Sequence, residues 1–341
     1  MAEEMALVLQ GGGALGAYEY GAVTRLVETG WKPVAATGVS IGAITTAAMA
    51  GAKNKDIIAS LKRLWDAITL NPVPFLPADW QSYLSLWGNP AFWTPRNDYL
   101  NYANWTSFCD TSPMRETLAS ICDFEQLNDP TFIRISVTAT DVQSGEQVTF
   151  SNSDMPLPAG RAAAPVHATR LKPEHFLASG SLPPGFPMTW IDGKPYWDGG
   201  LFDNTPIQAL LDLLTESEIE DLPIFVVDLF PTRAPVPTNL REVEERMLGI
   251  SYENRFWAQQ AGTIGDAVEF AQMLEALQRD LPANSSVRNR APFQRLERLR
   301  ALKNLRVIEA PPSSITGFMD FSAAGVEARR RAGYAAADLV R

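Results

Sequence analysis

The stretch Gly38-Val39-Ser40-Ile41-Gly42 decides how this sequence is read. Five residues before it, Pro33 to Thr37, look like a short buried strand, and Ala43 to Gly51 after it form an Ala-rich run that reads as a helix. A serine with glycines two residues away on either side, set between a strand and a helix, is the context of a nucleophile elbow. The turn is sharp enough to strain the serine backbone, and the glycines let neighbouring main chain pass without side-chain clash. The Ser40 hydroxyl would then stand at a helix N-terminus, where backbone N–H groups and the dipole favour developing negative charge. The pattern G-x-S-x-G alone recurs by chance; its flanks give it weight here.

Toward the N-terminus, Ala6 to Leu9 predicts a first parallel strand. It runs into Gln10-Gly11-Gly12-Gly13-Ala14-Leu15-Gly16-Ala17 and a helical pattern to about Gly30. Gly11, Gly13 and Gly16 fit G-x-G-x-x-G. A dinucleotide site would need a second strand ending in an acidic residue that holds a ribose, and the second strand here ends in the Ser40 elbow instead. The other functional reading is an oxyanion hole, with glycine N–H groups aimed at an anion beside the nucleophile; the plainer alternative is a tight turn that merely needs glycine. Adjacent parallel strands would bring both turns to the same carboxyl edge of a sheet.

Toward the C-terminus, Asp56 to Ile68 reads as an amphipathic helix. From Asn71 to Phe108 prolines and aromatics crowd in, which predicts an irregular insertion packed on the core, or else a lid or acyl-chain surface. Thr131 to Thr140 reads as a strand closed by a turn at Asp141, with Val148 to Phe150 pairing back. The rigid loop Ala178 to Pro187 precedes a short hairpin, Met188 to Trp197. Asp198-Gly199-Gly200 follows on a tight turn, with Asn204 and Pro206 just beyond; taken alone, Asp198 there is as readily a helix cap as a functional acid. Leu222 to Phe230 is another buried strand. Beyond Pro231 the chain is helical and charge-rich. Its basic run (Arg288, Arg290, Arg295, Arg298, Arg300, Lys303, Arg306) reads as a solvated helix face, or otherwise as an anionic-lipid contact. Leu305 to Ile308 would make a last strand and the helices before it an excursion from the same domain.

The 341 residues are 46% hydrophobic and 20% charged, the balance of a folded protein, and the net charge of −10 argues against a nucleic-acid partner. Cys109 and Cys122 come with no metal-binding spacing and read as reduced thiols. The acidic start is not a secretory signal, and no apolar run reaches the roughly 18 residues of a membrane span. The expectation is a cytoplasmic protein whose membrane contact is peripheral. The only histidines, His167 and His175, both precede Asp198, an order unlike the known Ser-His-Asp arrangements, and read as structural.

Gly11-Gly12-Gly13-Ala14-Leu15-Gly16, Gly38-Val39-Ser40-Ile41-Gly42 and Asp198-Gly199-Gly200, in this order and with the Ala178-to-Pro187 loop, resemble the patatin-like phospholipase family over about residues 5 to 210. The chain is similar to a bacterial branch with a C-terminal extension. The resemblance implies a three-layer α/β/α fold with a mainly parallel central sheet. The catalytic domain would span 1–235, with the aromatic insertion at about 71–108. A mostly helical extension, 236–341, would pack on it. It also implies a Ser-Asp dyad: Ser40 as nucleophile, Asp198 as base without a histidine, oxyanion donors from Gly11, Gly12 and Gly13, and motif support from Gly16, Gly38, Gly42, Gly199 and Gly200. No metal or organic cofactor is required. The partner is a lipid or acyl-ester substrate, and the aromatic insertion leaves room for a homo-oligomer. The chain departs from the family at Leu15, where Arg or Lys is frequent; this bears on phospholipid preference more than on hydrolysis. Two alternatives remain: an acyltransferase that passes the acyl group to an alcohol or thiol, and a non-catalytic lipid-surface or assembly module.

Overall fold

A computed structural model describes residues 3–82, 84–155, 168–230, 235–252, 264–311 and 317–340. The strand β1 (Glu3–Leu9) leads through a 3-10 turn at Gly13–Gly16 into α1 (Ala17–Glu28), followed by β2 (Trp31–Gly38), α2 (Ile41–Ala50) and α3 (Ile57–Ile68). The middle of the chain gives β3 (Arg134–Asp141), β4 (Gln147–Ser151), α4 (Pro173–Ser179), the hairpin β5 (Thr189–Ile191) and β6 (Lys194–Asp198), α5 (Ile207–Leu213) and β7 (Ile224–Asp228). The C-terminal part gives α6 (Leu240–Tyr252), α7 (Ile264–Asp280), β8 (Leu305–Glu309) and α8 (Ala323–Ala337).

The sheet runs β8-β7-β1-β2-β3-β6-β5, with β4 also on β3. The pairings from β8 through β3 are parallel, and those that bring in β4, β5 and β6 are antiparallel. A sheet covered on both faces needs apolar side chains on both sides of each strand, and β1 supplies them. Met5, Leu7 and Leu9 face a core shared with α1, α2, α3 and α8, while Ala6 and Val8 face a second core with α5 and α7. The result is the three-layer α/β/α arrangement with a mainly parallel sheet that the sequence predicts.

The register of β3 sets up the site. Arg134 to Val137 pair with β2, and Ala139 to Asp141 pair with β6, while β4 takes Ser136 to Thr140. A strand has two edges, and β4 shares residues with both other partners, so β2 and β6 lie end to end along the edge opposite β4. They meet head-on over Thr138: Gly38 pairs with Val137 and Asp198 with Ala139.

Leu305–Glu309 joins the sheet as a parallel edge strand on β7, and α8 docks on α1. This contact is backbone against backbone. A Cβ on Gly21 would lie 1.9 Å from the Arg330 carbonyl oxygen, and one on Gly333 would lie 2.0 Å from that of Tyr18. The aromatic insertion divides. Phe92 and Trp93 are buried against Phe186 and Phe321, whereas Phe75, Trp80, Trp87, Tyr99, Leu100 and Tyr102 are exposed.

The basic run is not a solvated face throughout. Arg298 is buried and donates to the carbonyls of Leu211 and Leu214 at the end of α5, at 2.7 and 2.9 Å. Arg300 is buried against Glu220, and Arg306 lies over the rings of Trp31 and Phe225. A helix C-terminus leaves carbonyls that need donors, and Arg298 serves that need inside the fold.

Candidate active site

Ser40 sits on the turn between β2 and α2 with φ +53° and ψ −121°, a conformation disfavoured for a residue with a side chain. Close approach explains its glycines. A Cβ on Gly38 would lie 2.3 Å from the Gly42 carbonyl oxygen, and one on Gly42 would lie 2.4 Å from that of Leu9. The turn is held from outside as well. The Ser40 N–H is within bonding distance of both the carbonyl oxygen (3.1 Å) and the hydroxyl (3.0 Å) of Ser179, and that hydroxyl donates to the Thr138 carbonyl at 2.6 Å. The end of α4 therefore pins the elbow to the strand on which β2 and β6 converge.

Asp198, at the end of β6, is buried at 3% exposure. Its carboxylate accepts the Gly200 N–H at 2.8 Å, and Asp198 lines one cleft together with Ser40. Burial outweighs the bond from Gly200 and the lowering influence of the neighbouring Ser40 hydroxyl, and raises its pKa from an ordinary 3.8 to about 7. An acid so poised can change protonation state near neutral pH. The geometry thus brings Ser40 and Asp198 together, although 158 positions separate them.

Gly11, Gly12, Ser40, Leu182, Asp198, Asn204, Tyr252 and Phe318 line a narrow cleft whose cavity volume is about 10 Å³. The three glycines proposed for an oxyanion hole are not equivalent. Gly11 lies in the cleft, but its N–H is taken by Asn204 Oδ1 at 3.0 Å. Gly12 lines the cleft, and no described residue accepts its N–H. Gly13, with φ +54°, is turned against the Phe318 carbonyl and is not in the lining. Leu15 is buried in the core, and among the described residues no basic side chain lines the cleft.

Three cleft residues were not legible beforehand as site residues. Tyr252 and Phe318 stack at 6.5 Å with an 8° interplanar angle and wall the cleft with Leu182. Asn204 follows the Asp-Gly-Gly turn, and its spacing to Asp198 is the one sequence signal for it. His175 has Nδ1 within bonding distance of the Lys172 N–H (2.9 Å), packs edge-on to Phe150 and is not in the cleft lining; burial lowers its pKa. His167 lies outside the described residues. Asp141 caps its own turn, accepting the N–H groups of Gln143 and Ser144. Cys109 and Cys122 are free thiols. Among the described residues no cluster of His, Cys, Asp and Glu could hold a metal ion, and no helix is long and apolar enough to cross a membrane.

A family model described as patatin-like phospholipase matches residues 7–211, which include the glycine loop, the Ser40 elbow and the Asp198 turn. No curated protein matches the chain. Among solved structures, the chain is similar to VipD from Legionella pneumophila, at 16% identity over 99% of this chain and 66% of that one, with a TM-score of 0.44. It is also similar to the complex of full-length SpcU with full-length ExoU from the type III secretion system of Pseudomonas aeruginosa, at 15% identity over 96% and 76%, with a TM-score of 0.29. The chain thus spans about two thirds of the VipD chain.

Proposed function

The chain belongs to the patatin-like phospholipase family, a family of lipid hydrolases, and from that premise we propose that it hydrolyses acyl esters of lipids through an acyl-Ser40 intermediate with Asp198 as its base. Ser40 Oγ attacks the ester carbonyl carbon while its proton passes to Asp198. The oxyanion of the tetrahedral intermediate accepts the Gly12 N–H. Collapse breaks the bond to the alcohol oxygen, which takes the proton from Asp198 and leaves. Water then attacks the acyl carbon, giving its proton to Asp198. The fatty acid departs as Ser40 Oγ recovers that proton. A carboxyl with a pKa of about 7 matches a base and acid working at neutral pH far better than one at 3.8. The observation that carries this reading is Ser40, on a strained turn, lining one cleft with that buried carboxyl.

The surroundings favour a lipid substrate. Leu201 and Phe202, just after the Asp198 turn, are exposed. So are Leu240, Val243, Met247 and Ile250, which fall on one face of α6, the helix that ends at Tyr252 in the cleft wall. An exposed apolar rim beside a site suits a peripheral contact with a lipid surface. Pockets for drug-sized ligands run to about 300–1,000 Å³, so a cleft with a cavity of only about 10 Å³ takes a long acyl chain only once Tyr252 and Phe318 part.

The test is hydrolysis of phospholipid vesicles and of a p-nitrophenyl ester series by wild type, Ser40→Ala and Asp198→Asn, with fluorophosphonate labelling of each. Wild type is expected to hydrolyse and label, and both variants to lose hydrolysis while folded. Hydrolysis that survives Ser40→Ala would overturn the acyl-serine mechanism. The chain-length and head-group preference of the wild type would then define the substrate.

A further inference from the structure

Asn204 makes three hydrogen bonds whose polarity fixes its orientation. Gly11 N–H can only donate, so it faces Oδ1, at 3.0 Å. The carbonyls of Gly11 and Tyr252 can only accept, so both face Nδ2, at 3.1 and 3.2 Å. The amide thus closes a two-bond ring with the Gly11 residue and spends its remaining hydrogen on the end of α6. The clamp has a neighbour: Gln10 Nε2 donates to Thr205 Oγ1 at 2.7 Å, and Gln10 Oε1 accepts the Leu229 N–H at 2.6 Å. Residues 10–11 are stitched side by side to residues 204–205. The space leaves no slack, since a Cβ on Gly11 would lie 2.5 Å from Asn204 Oδ1. Asn204 is itself buried and stands six residues beyond Asp198, on the same turn.

We propose that Asn204 is a positioning residue for ester hydrolysis: by holding both polar groups of Gly11 it locks the glycine loop to the Asp198 turn and leaves the next N–H, that of Gly12, directed at the oxyanion. The inference rests on the reaction proposed above. It assigns Gly11 to the scaffold and Gly12 to the chemistry, and it makes the distance between base and oxyanion donor a property of one side chain. Through the Tyr252 carbonyl the same amide ties the cleft wall to this unit. Misplacing a catalytic group by about 1 Å can cost on the order of 100-fold in rate, and removing the amide takes away both of the bonds that hold Gly11 to the Asp198 turn.

The experiment compares wild type, Ser40→Ala, Asn204→Ala and Asn204→Asp on a soluble p-nitrophenyl ester. The active-site titre of each is measured with a fluorophosphonate, and its unfolding is followed by circular dichroism. Asn204→Ala is expected to lose on the order of 100-fold in kcat per titrated site, with KM and the acid limb of the pH profile unchanged. Asn204→Asp keeps an acceptor for Gly11 but loses both donations, and is expected to fold and to lose at least about tenfold per site. A merely structural role would lower the titre or the stability and leave kcat per titrated site as in wild type; that result, or a rise on freeing the Gly11 N–H, would overturn the proposal. Should Ser40→Ala hydrolyse as fast as wild type, the acyl-serine reading itself would fall, an outcome separate from any effect at Asn204.

Discussion

Replacing Asp198 with Asn should abolish hydrolysis and at the same time stabilise the protein above neutral pH. Asp198 has an ordinary pKa of 3.8 and a folded value of about 7, raised first by burial. Between these values the folded chain keeps a proton that the unfolded chain has released. Stability from this group is therefore fully present below about pH 4, falls as pH rises, and is lost above about pH 7. The gap between 3.8 and about 7, at 1.36 kcal/mol per tenfold change in proton affinity, is about 4 kcal/mol. Asparagine cannot ionise, keeps an oxygen for the Gly200 N–H, and escapes that loss. The variant should gain on the order of 2–4 kcal/mol over wild type at pH 8 and little at pH 4. Urea unfolding of both proteins at pH 4, 6 and 8 measures the difference, and subtraction removes other buried acids such as Glu19 from the comparison. The wild-type kcat/KM should fall about tenfold per pH unit below about 7, since the base must be ionised. Parallel stability curves for the two proteins would refute the reasoning, because they would mean that Asp198 ionises in the fold as it does in water.

Three further outcomes follow from the geometry. Ser40→Gly and Ser40→Ala should both be inactive, but the glycine variant should be more stable by about 1–2 kcal/mol in denaturant midpoints, because only glycine adopts φ +53° without strain; equal midpoints would show that the elbow stores none. Gly333→Ala should lower stability by about 1–3 kcal/mol, read by thermal melts, since its Cβ meets the Tyr18 carbonyl at 2.0 Å; an unchanged melt would mean that α8 docks more loosely than described. Glu19 is fully buried, burial raises its pKa well above 4.5, and it accepts the Thr45 hydroxyl at 3.3 Å. Glu19→Gln should keep activity within about threefold, whereas Glu19→Ala strands the buried Thr45 hydroxyl, leaves a cavity and should cost about 1–3 kcal/mol in urea unfolding; equal stability of the two would mean that the side chain contributes neither packing nor that bond.

What was legible in the sequence follows the range of the forces involved. The elbow could be read because its causes are local: Gly38, Ser40 and Gly42 are consecutive partners in one turn, and strand and helix flank them within ten residues. The parallel pairing of β1 with β2 could be read because two short apolar runs joined by a helix have few other ways to pack. Arg298 could not be read, since a helical run of arginines looks the same whether water or the buried end of α5 accepts its hydrogens. Neither could Phe318, which enters the cleft wall from beyond the last strand. The glycine loop shows the boundary most sharply. Three adjacent glycines offer three similar N–H groups in the sequence, and the fold makes them unlike. The N–H of the first is taken by Asn204, 193 residues away; the third residue packs against Phe318 outside the lining; the middle one lines Ser40's cleft with no described acceptor for its N–H. A motif thus names the chemistry available to a loop, whereas the tertiary partners of each peptide decide which atom is free to perform it, and a side chain such as Asn204 acquires its importance from the group it occupies rather than from any group it offers to the substrate.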